Sequence, residues 1–131
     1  MCLSGGKVFS KNISVFLCGE NSLFLDNLAF FLNRQKGIRV IGKTTSIEEA
    51  RQLTKNSPPE VVILGIGMFN REGYYALLSL WQEQGIPVIV LGLDEEDKEE
   101  ALKRGAYAFF RKGESYPELL ATIRKIGGES A

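Results

Sequence analysis

Short apolar blocks alternate along the chain with longer amphipathic stretches. Ile13-Ser14-Val15-Phe16-Leu17-Cys18 is mostly apolar and rich in strand formers, which predicts a first strand. Ser22 then offers an N-cap for a helix over Leu23 to Gln35, with Phe24, Leu28, Phe31 and Leu32 recurring along one face. Gly37 ends that helix, and Ile38 to Ile41 reads as a second strand. Ser46-Ile47-Glu48-Glu49 has capping-box spacing and opens a helix to about Asn56, which Pro58-Pro59 terminates. Val61 to Leu64 and Pro87 to Leu91 are nearly continuous apolar runs, the pattern of strands buried on both faces. Between them a helix carrying Tyr75, Leu78 and Trp81 runs up to Gly85. Asp94 to Arg104 reads as a helix that starts on acids, and Ala106 to Phe110 as a fifth strand. Ser115-Tyr116-Pro117-Glu118 repeats the capping-box spacing with proline in the first turn. It opens a last helix that turns Leu119, Leu120, Ile123 and Ile126 inward.

Strands that alternate with helices through short connections predict an α/β domain: a parallel sheet with helices on both faces. In such sheets a ligand crevice lies outside the carboxyl ends of the strands. Here those ends are Gly19-Glu20, Gly65 to Met68, Gly92-Leu93 and Lys112-Gly113, so candidate chemistry is sought there.

Composition narrows the functional classes. The 131 residues suit one domain, expected over residues 13–126, with 1–12 as a flexible lead-in and 127–131 as a tail or the start of a linker. Sixteen basic residues balance 16 acidic ones, which argues against DNA contact driven by bulk charge. The absence of histidine excludes Ser-His triads, histidine acid–base catalysis and His-ligated zinc. Cys2 and Cys18 are too few for a disulfide scaffold or a cysteine metal site. No stretch has the length and apolarity of a membrane span or a secretory leader, so a cytoplasmic protein is expected.

The succession of segments resembles the receiver domain of two-component response regulators, especially those with a LuxR-type output. The residues that carry the likeness are Val15-Phe16-Leu17 with Leu23-Phe24, Pro59 to Leu64, Val88 to Leu91, Ala101 to Ala106 leading to Lys112, and Pro117 to Ala121. The resemblance implies a CheY-like, flavodoxin-like (βα)5 doubly wound sheet of strand order 2-1-3-4-5 in three layers. It also implies five site groups: an acid pair after the first strand that helps hold Mg²⁺, an acceptor Asp after the third, a hydroxyl after the fourth, a Lys after the fifth, and a switch aromatic nearby.

This chain departs from that pattern at most of those places. The acid pair matches Gly19-Glu20, the phosphoacceptor matches Gly65, and the hydroxyl matches Gly92. Lys112 is retained, and Phe109 stands at the switch-aromatic position. Ile63 to Phe69 contains no Asp, Glu, Ser or Thr, so a shifted register supplies no acceptor. With one carboxylate left, no metal and no cofactor are expected. Glu20 is expected to pair with Lys112 across the vacated site. Phe109 reads equally as a buried edge aromatic, and Cys18 as a small buried apolar residue.

Two readings of the glycines stay open. In the first, the domain has lost its phosphorylation chemistry and works by protein–protein interaction, on an attached output domain, on a separate partner, or by pairing as a homodimer. Transcription regulation follows from the LuxR-type likeness, and no enzymatic activity is expected. In the second, Gly65-Ile66-Gly67 and Gly92 expose backbone N–H groups that cradle a small anion or nucleotide, making a ligand sensor. The acidic run Asp94 to Glu100 serves the helix dipole or a partner-facing surface.

Overall fold

The computed structural model describes residues 12–114 and 116–128. The expected lead-in up to residue 11, Cys2, the cap residue Ser115 and the tail from residue 129 lie outside the described residues. Strands and helices alternate throughout: β1 Ile13–Gly19, α1 Ser22–Asn33, β2 Ile38–Thr44, α2 Ile47–Asn56, β3 Val61–Gly65, α3 Arg71–Glu83, β4 Val88–Gly92, α4 Glu95–Lys103, β5 Ala108–Arg111 and α5 Tyr116–Ile126. The strands form one parallel five-stranded sheet in the order β2-β1-β3-β4-β5, which is the expected 2-1-3-4-5 arrangement.

Period-two alternation along each strand sends side chains to opposite faces, and two cores result. Phe16, Cys18, Val62, Leu64, Val88 and Val90 meet α2, α3 and α4 through Ala50, Leu78, Trp81 and Ala101. Val15, Leu17, Val61, Ile63, Ile89 and Leu91 meet α1 and α5 through Leu28, Leu32, Leu119 and Ile123. β3 and β4 are buried along their whole length, as their unbroken apolar runs require. Trp81 is fully enclosed, and its indole N–H donates to Thr54 Oγ1 at 3.0 Å, tying α3 to α2. Among the described residues no helix is long and apolar enough to cross a membrane.

Local signals differ from expectation in a few places. The side chain that caps α1 is Asn21, accepting from the Phe24 N–H at 3.0 Å, and Ser22 is the first helical residue. Ser46 caps α2 as expected, but Glu49 does not reach back to the Ser46 N–H. Thr44 Oγ1 accepts that N–H at 3.0 Å and donates its own proton to Glu49. β2 extends to Thr44, beyond the apolar run, because it is an edge strand whose outward positions need no apolar residue. Its pairing with β1 slips between Val15 and Phe16, leaving Ile41 as the extra, exposed residue of a bulge. Leu25 and Ala29 are buried in α1 beside Leu28 and Leu32, while Phe24 and Phe31 sit at the margin.

Candidate functional site

Three strands end on glycine at the same edge of the sheet. Gly19 of β1 lies in register with Gly65 of β3, and β4 ends at Gly92. β5 runs directly into Lys112, whose backbone N–H donates to Gly92 O at 3.0 Å. Phe109, opposite Val90 in the register of β5 with β4, stands close by. The fold therefore gathers Gly19, Glu20, Gly65, Gly92, Phe109 and Lys112 at the carboxyl ends of the strands.

Glu20 is bonded to backbone and not to Lys112. Its carboxylate accepts the Met68 N–H at 3.1 Å and the Phe69 N–H at 2.8 Å, both in the loop between β3 and α3. Successive N–H groups in such a turn form a concavity that attracts an anion. Gly67 makes the approach possible, because a Cβ there would overlap the Glu20 carboxylate. The backbone does cradle an anion, and the anion is the domain's own side chain.

The expected Glu20–Lys112 ion pair is thus absent, and the reason is that backbone donors lie closer to Glu20 than the ammonium does. Lys112 is half-buried, with its Nζ 5.3 Å from the centre of the Phe24 ring, a cation–π contact. Burial lowers its pKa below the ordinary lysine value, although Glu20 and Asp97 act in the opposite sense. A Cβ built on Gly65 would lie 3.6 Å from Lys112 Cε, 3.8 Å from Cys18 O and 3.9 Å from Lys112 Nζ, all ordinary contact distances. The ammonium therefore stands beside Gly65, which puts no side chain against it.

A buried ion pair at this edge has no counterpart in the sequence reading. Asp97 is 1% exposed and bonded on several sides. It accepts the Leu93 N–H at 2.7 Å and pairs with Arg71, and its own N–H is capped by Asp94 at 3.0 Å. Arg71 also donates to Gly67 O at 2.5 Å. One guanidinium thus ties the loop after β3 to the start of α4. Burial alone would raise the Asp97 pKa, but the Leu93 N–H and the Arg71 guanidinium overcome it and hold the carboxyl below its ordinary value. Behind this pair the Tyr75 ring lies under Arg104, 4.8 Å from its centre, and Arg104 holds Glu100 and Glu72. The buried Tyr75 hydroxyl makes no hydrogen bond among the described residues. The Asp94-x-x-Asp97 spacing was a legible cap signal, whereas nothing in the sequence marks Arg71 as its partner.

Gly92 leaves no room for a side chain. A Cβ there would stand 2.6 Å from Phe109 Cε1 and 2.9 Å from Asp97 Cβ. The Phe109 ring lies inward over the end of β4, packed against the core on the α3 and α4 side. Among the described residues no three Asp, Glu, Cys or His side chains gather into a group able to hold a metal. The residues at this edge do not fit a Mg²⁺ ion, since Glu20 is engaged by backbone N–H groups and its neighbours Gly19 and Gly65 offer no carboxylate.

Cys18 is fully buried beside Gly19, and burial pushes its thiol up to about 12. It is therefore expected to resist iodoacetamide at neutral pH in the folded domain and to react in denaturant. Peptide mapping of the alkylated protein checks this, and modification of native Cys18 would contradict the packing.

Comparisons with known proteins agree with this architecture. The family model described as the response regulator receiver domain matches residues 15–124. Curated relatives include the transcriptional regulatory protein DesR of Bacillus subtilis, 28% identical over 87% of this chain and 58% of its own length. The response regulator GacA of Pseudomonas aeruginosa is 26% identical over 87% of this chain and 55% of its own. The chain thus spans a little over half the length of these relatives. Among solved structures, the response regulator domain of Thermotoga maritima CheB superposes with a TM-score of 0.76 at 26% identity, covering 90% of this chain and 98% of that one. The receiver domain of the Mycobacterium tuberculosis response regulator NarL gives the same TM-score at 21% identity over 90% and 98%, which speaks to the fold alone. Matched along most of its length, with the strand order and helix layers of the fold in place, this chain belongs to the response regulator receiver domain family.

Proposed function

We propose that this domain transmits its signal through protein–protein contacts, without a phosphorylation step at the strand ends. One observation carries the reading: Gly65 stands where the family likeness places the acceptor, and the carboxylates nearby are engaged on loop N–H groups. Phosphoryl transfer depends on a nucleophile and on charges held ready around the phosphoryl oxygens. A glycine offers no nucleophile, and Lys112 is one cation without the metal or the hydroxyl. Arg71 and Asp97 bind the loops after β3 and β4 to each other, and Glu20 binds the end of β1 to the loop after β3, a bridging task that an incoming phosphoryl group and metal would otherwise perform.

The output is proposed to be transcription regulation in the cytoplasm, by an attached domain, a separate partner or a homodimer. The relatives named as transcriptional regulators, and the part of their length this chain does not span, support that reading. The ligand-sensor reading, built on the N–H groups of Gly65-Ile66-Gly67 and Gly92, is weakened, because the Ile66 N–H donates to Leu91 O and the adjacent Met68, Phe69 and Leu93 N–H groups have internal acceptors. The direct test is thermal melting with millimolar Mg²⁺, with and without beryllofluoride, a mimic of the aspartyl phosphoryl group. No shift is expected with either reagent, and a rise of several degrees would show a working phosphoryl site.

A further inference from the structure

We propose that Lys112, beside Gly65 at the strand ends, is the ion-pairing group for one carboxylate side chain carried by an apolar segment of a partner protein. The inference rests on the preceding reading, in which Gly65 is not an acceptor and the domain works by protein contact.

Charge supplies the first argument. Glu20 and Asp97, the acids whose charge Lys112 feels, spend their oxygens on Met68, Phe69 and Leu93 N–H groups and on Arg71. Among the described residues no ion pair or hydrogen bond engages the Lys112 ammonium, whose close neighbour is the face of Phe24. A half-buried cation without a counterion has lost hydration and gained little in return, so an arriving carboxylate finds a strong partner. Gly65 supplies the second: a Cβ there would touch Lys112 Cε at 3.6 Å, Cys18 O at 3.8 Å and Lys112 Nζ at 3.9 Å, so a side chain at this position would meet the ammonium, and glycine puts none there.

The rim decides what kind of molecule brings the carboxylate. Met68 and Phe69 are each 73% exposed and Leu23 is 67% exposed, with Leu93 half-exposed on the loop after β4. Leu23 lies beside Phe24 in the first turn of α1, and Met68 and Phe69 lie in the loop after β3 that Glu20 holds, so these exposed side chains belong to the segments that follow the strand ends. Exposed aromatic and methionine side chains around a partly desolvated charge are the composition of an interface centre. A free phosphate or nucleotide gains little beyond Lys112, since the Ile66, Met68, Phe69 and Leu93 N–H groups are taken, and it makes no use of the exposed apolar side chains. A peptide segment with Asp or Glu between apolar residues uses both.

The test is a selection of a random-peptide phage library against the wild-type domain and, in parallel, against Lys112→Met and Lys112→Glu, each confirmed folded by its melting curve. Wild-type binders are expected to share an Asp or Glu flanked by apolar residues, and Lys112→Met and Lys112→Glu are expected to lose that acid from their binders. A synthetic lead peptide should weaken by about tenfold or more when its acid is changed to the amide, as for a lost charge pair. Its amide shifts should centre on Gly65, Met68, Phe69 and Lys112. No wild-type binder, binders without an acid, equal binding to Lys112→Met, or shifts centred elsewhere would each overturn the proposal. Phosphoryl labelling of the domain would instead sink the reading it rests on, whatever the peptides do.

Discussion

Replacing Arg71 by alanine lowers stability by about 3 kcal/mol, the lower end for removing one partner of a buried ion pair, because water reaches the Arg71 side. The change strands the Asp97 carboxylate, which is 1% exposed, and frees Gly67 O of its donor. For a domain of this size the melting temperature should fall by roughly 10 °C. Asp97→Asn in the same background should recover part of the loss, since an amide oxygen still accepts the Leu93 N–H without carrying a charge. The pH dependence follows from the depressed Asp97 pKa. A carboxyl whose folded pKa lies below its unfolded value stabilises above the unfolded value, about 3.9, and the contribution disappears as pH falls through the folded pKa. Because the unfolded carboxyl is common to both proteins, the gap between wild type and Arg71→Ala is full where Asp97 is ionised in both folded forms. It narrows as pH falls through the higher pKa that burial gives Asp97 in the variant and then through the depressed wild-type value. Urea unfolding of the single and double variants across this range measures it. An unchanged melting temperature for Arg71→Ala would show that the pair does not hold the loops together.

Gly65→Asp alone is expected to remain unlabelled by acetyl phosphate, even though the position accepts a side chain. A Cβ there meets nothing nearer than Lys112 Cε at 3.6 Å, so it causes no clash, and it stands 3.9 Å from the Lys112 ammonium. The second acid and the hydroxyl are still missing. By analogy with the loss of an oxyanion-hole donor, each such gap costs about 2.7–4 kcal/mol in the transition state. Two gaps slow labelling by roughly 10⁴-fold or more. Gly19→Asp, Gly65→Asp and Gly92→Thr together should restore detectable labelling, but at a loss of stability. A Cβ on Gly19 stands 3.0 Å from Gly65 O, and one on Gly92 collides with Phe109 and the Asp97 Cβ, so the Phe109 ring must swing away. Intact-mass measurement after timed incubation compares the variants. Rapid labelling of Gly65→Asp would mean that the remaining groups already suffice.

What could be read in the sequence was set by burial pattern. β3 and β4 announce themselves because both faces are covered, and their apolar runs leave no other assignment. The site glycines were legible for the same reason, since each follows directly on a strand end. Pairings between distant side chains were not. Glu20 had Lys112 and the loop N–H groups within reach, and only the path of the loop through Gly67 and Met68 decides between them. Asp97 sat in a run of acids that reads as a solvated helix start, yet its position one turn into α4 faces inward toward Arg71. The apolar run of the edge strand β2 ends at Ile41, because its outward residues beyond that point are polar, while the strand itself continues to Thr44.

Intact-mass spectrometry of the wild-type domain after incubation with acetyl phosphate and Mg²⁺ distinguishes signalling without phosphorylation at the strand ends from a working phosphoryl site. An unmodified chain is expected under conditions that label an active receiver in the same tube. A phosphoryl adduct on the wild-type chain, mapped by fragmentation to any residue at the strand ends, would contradict it.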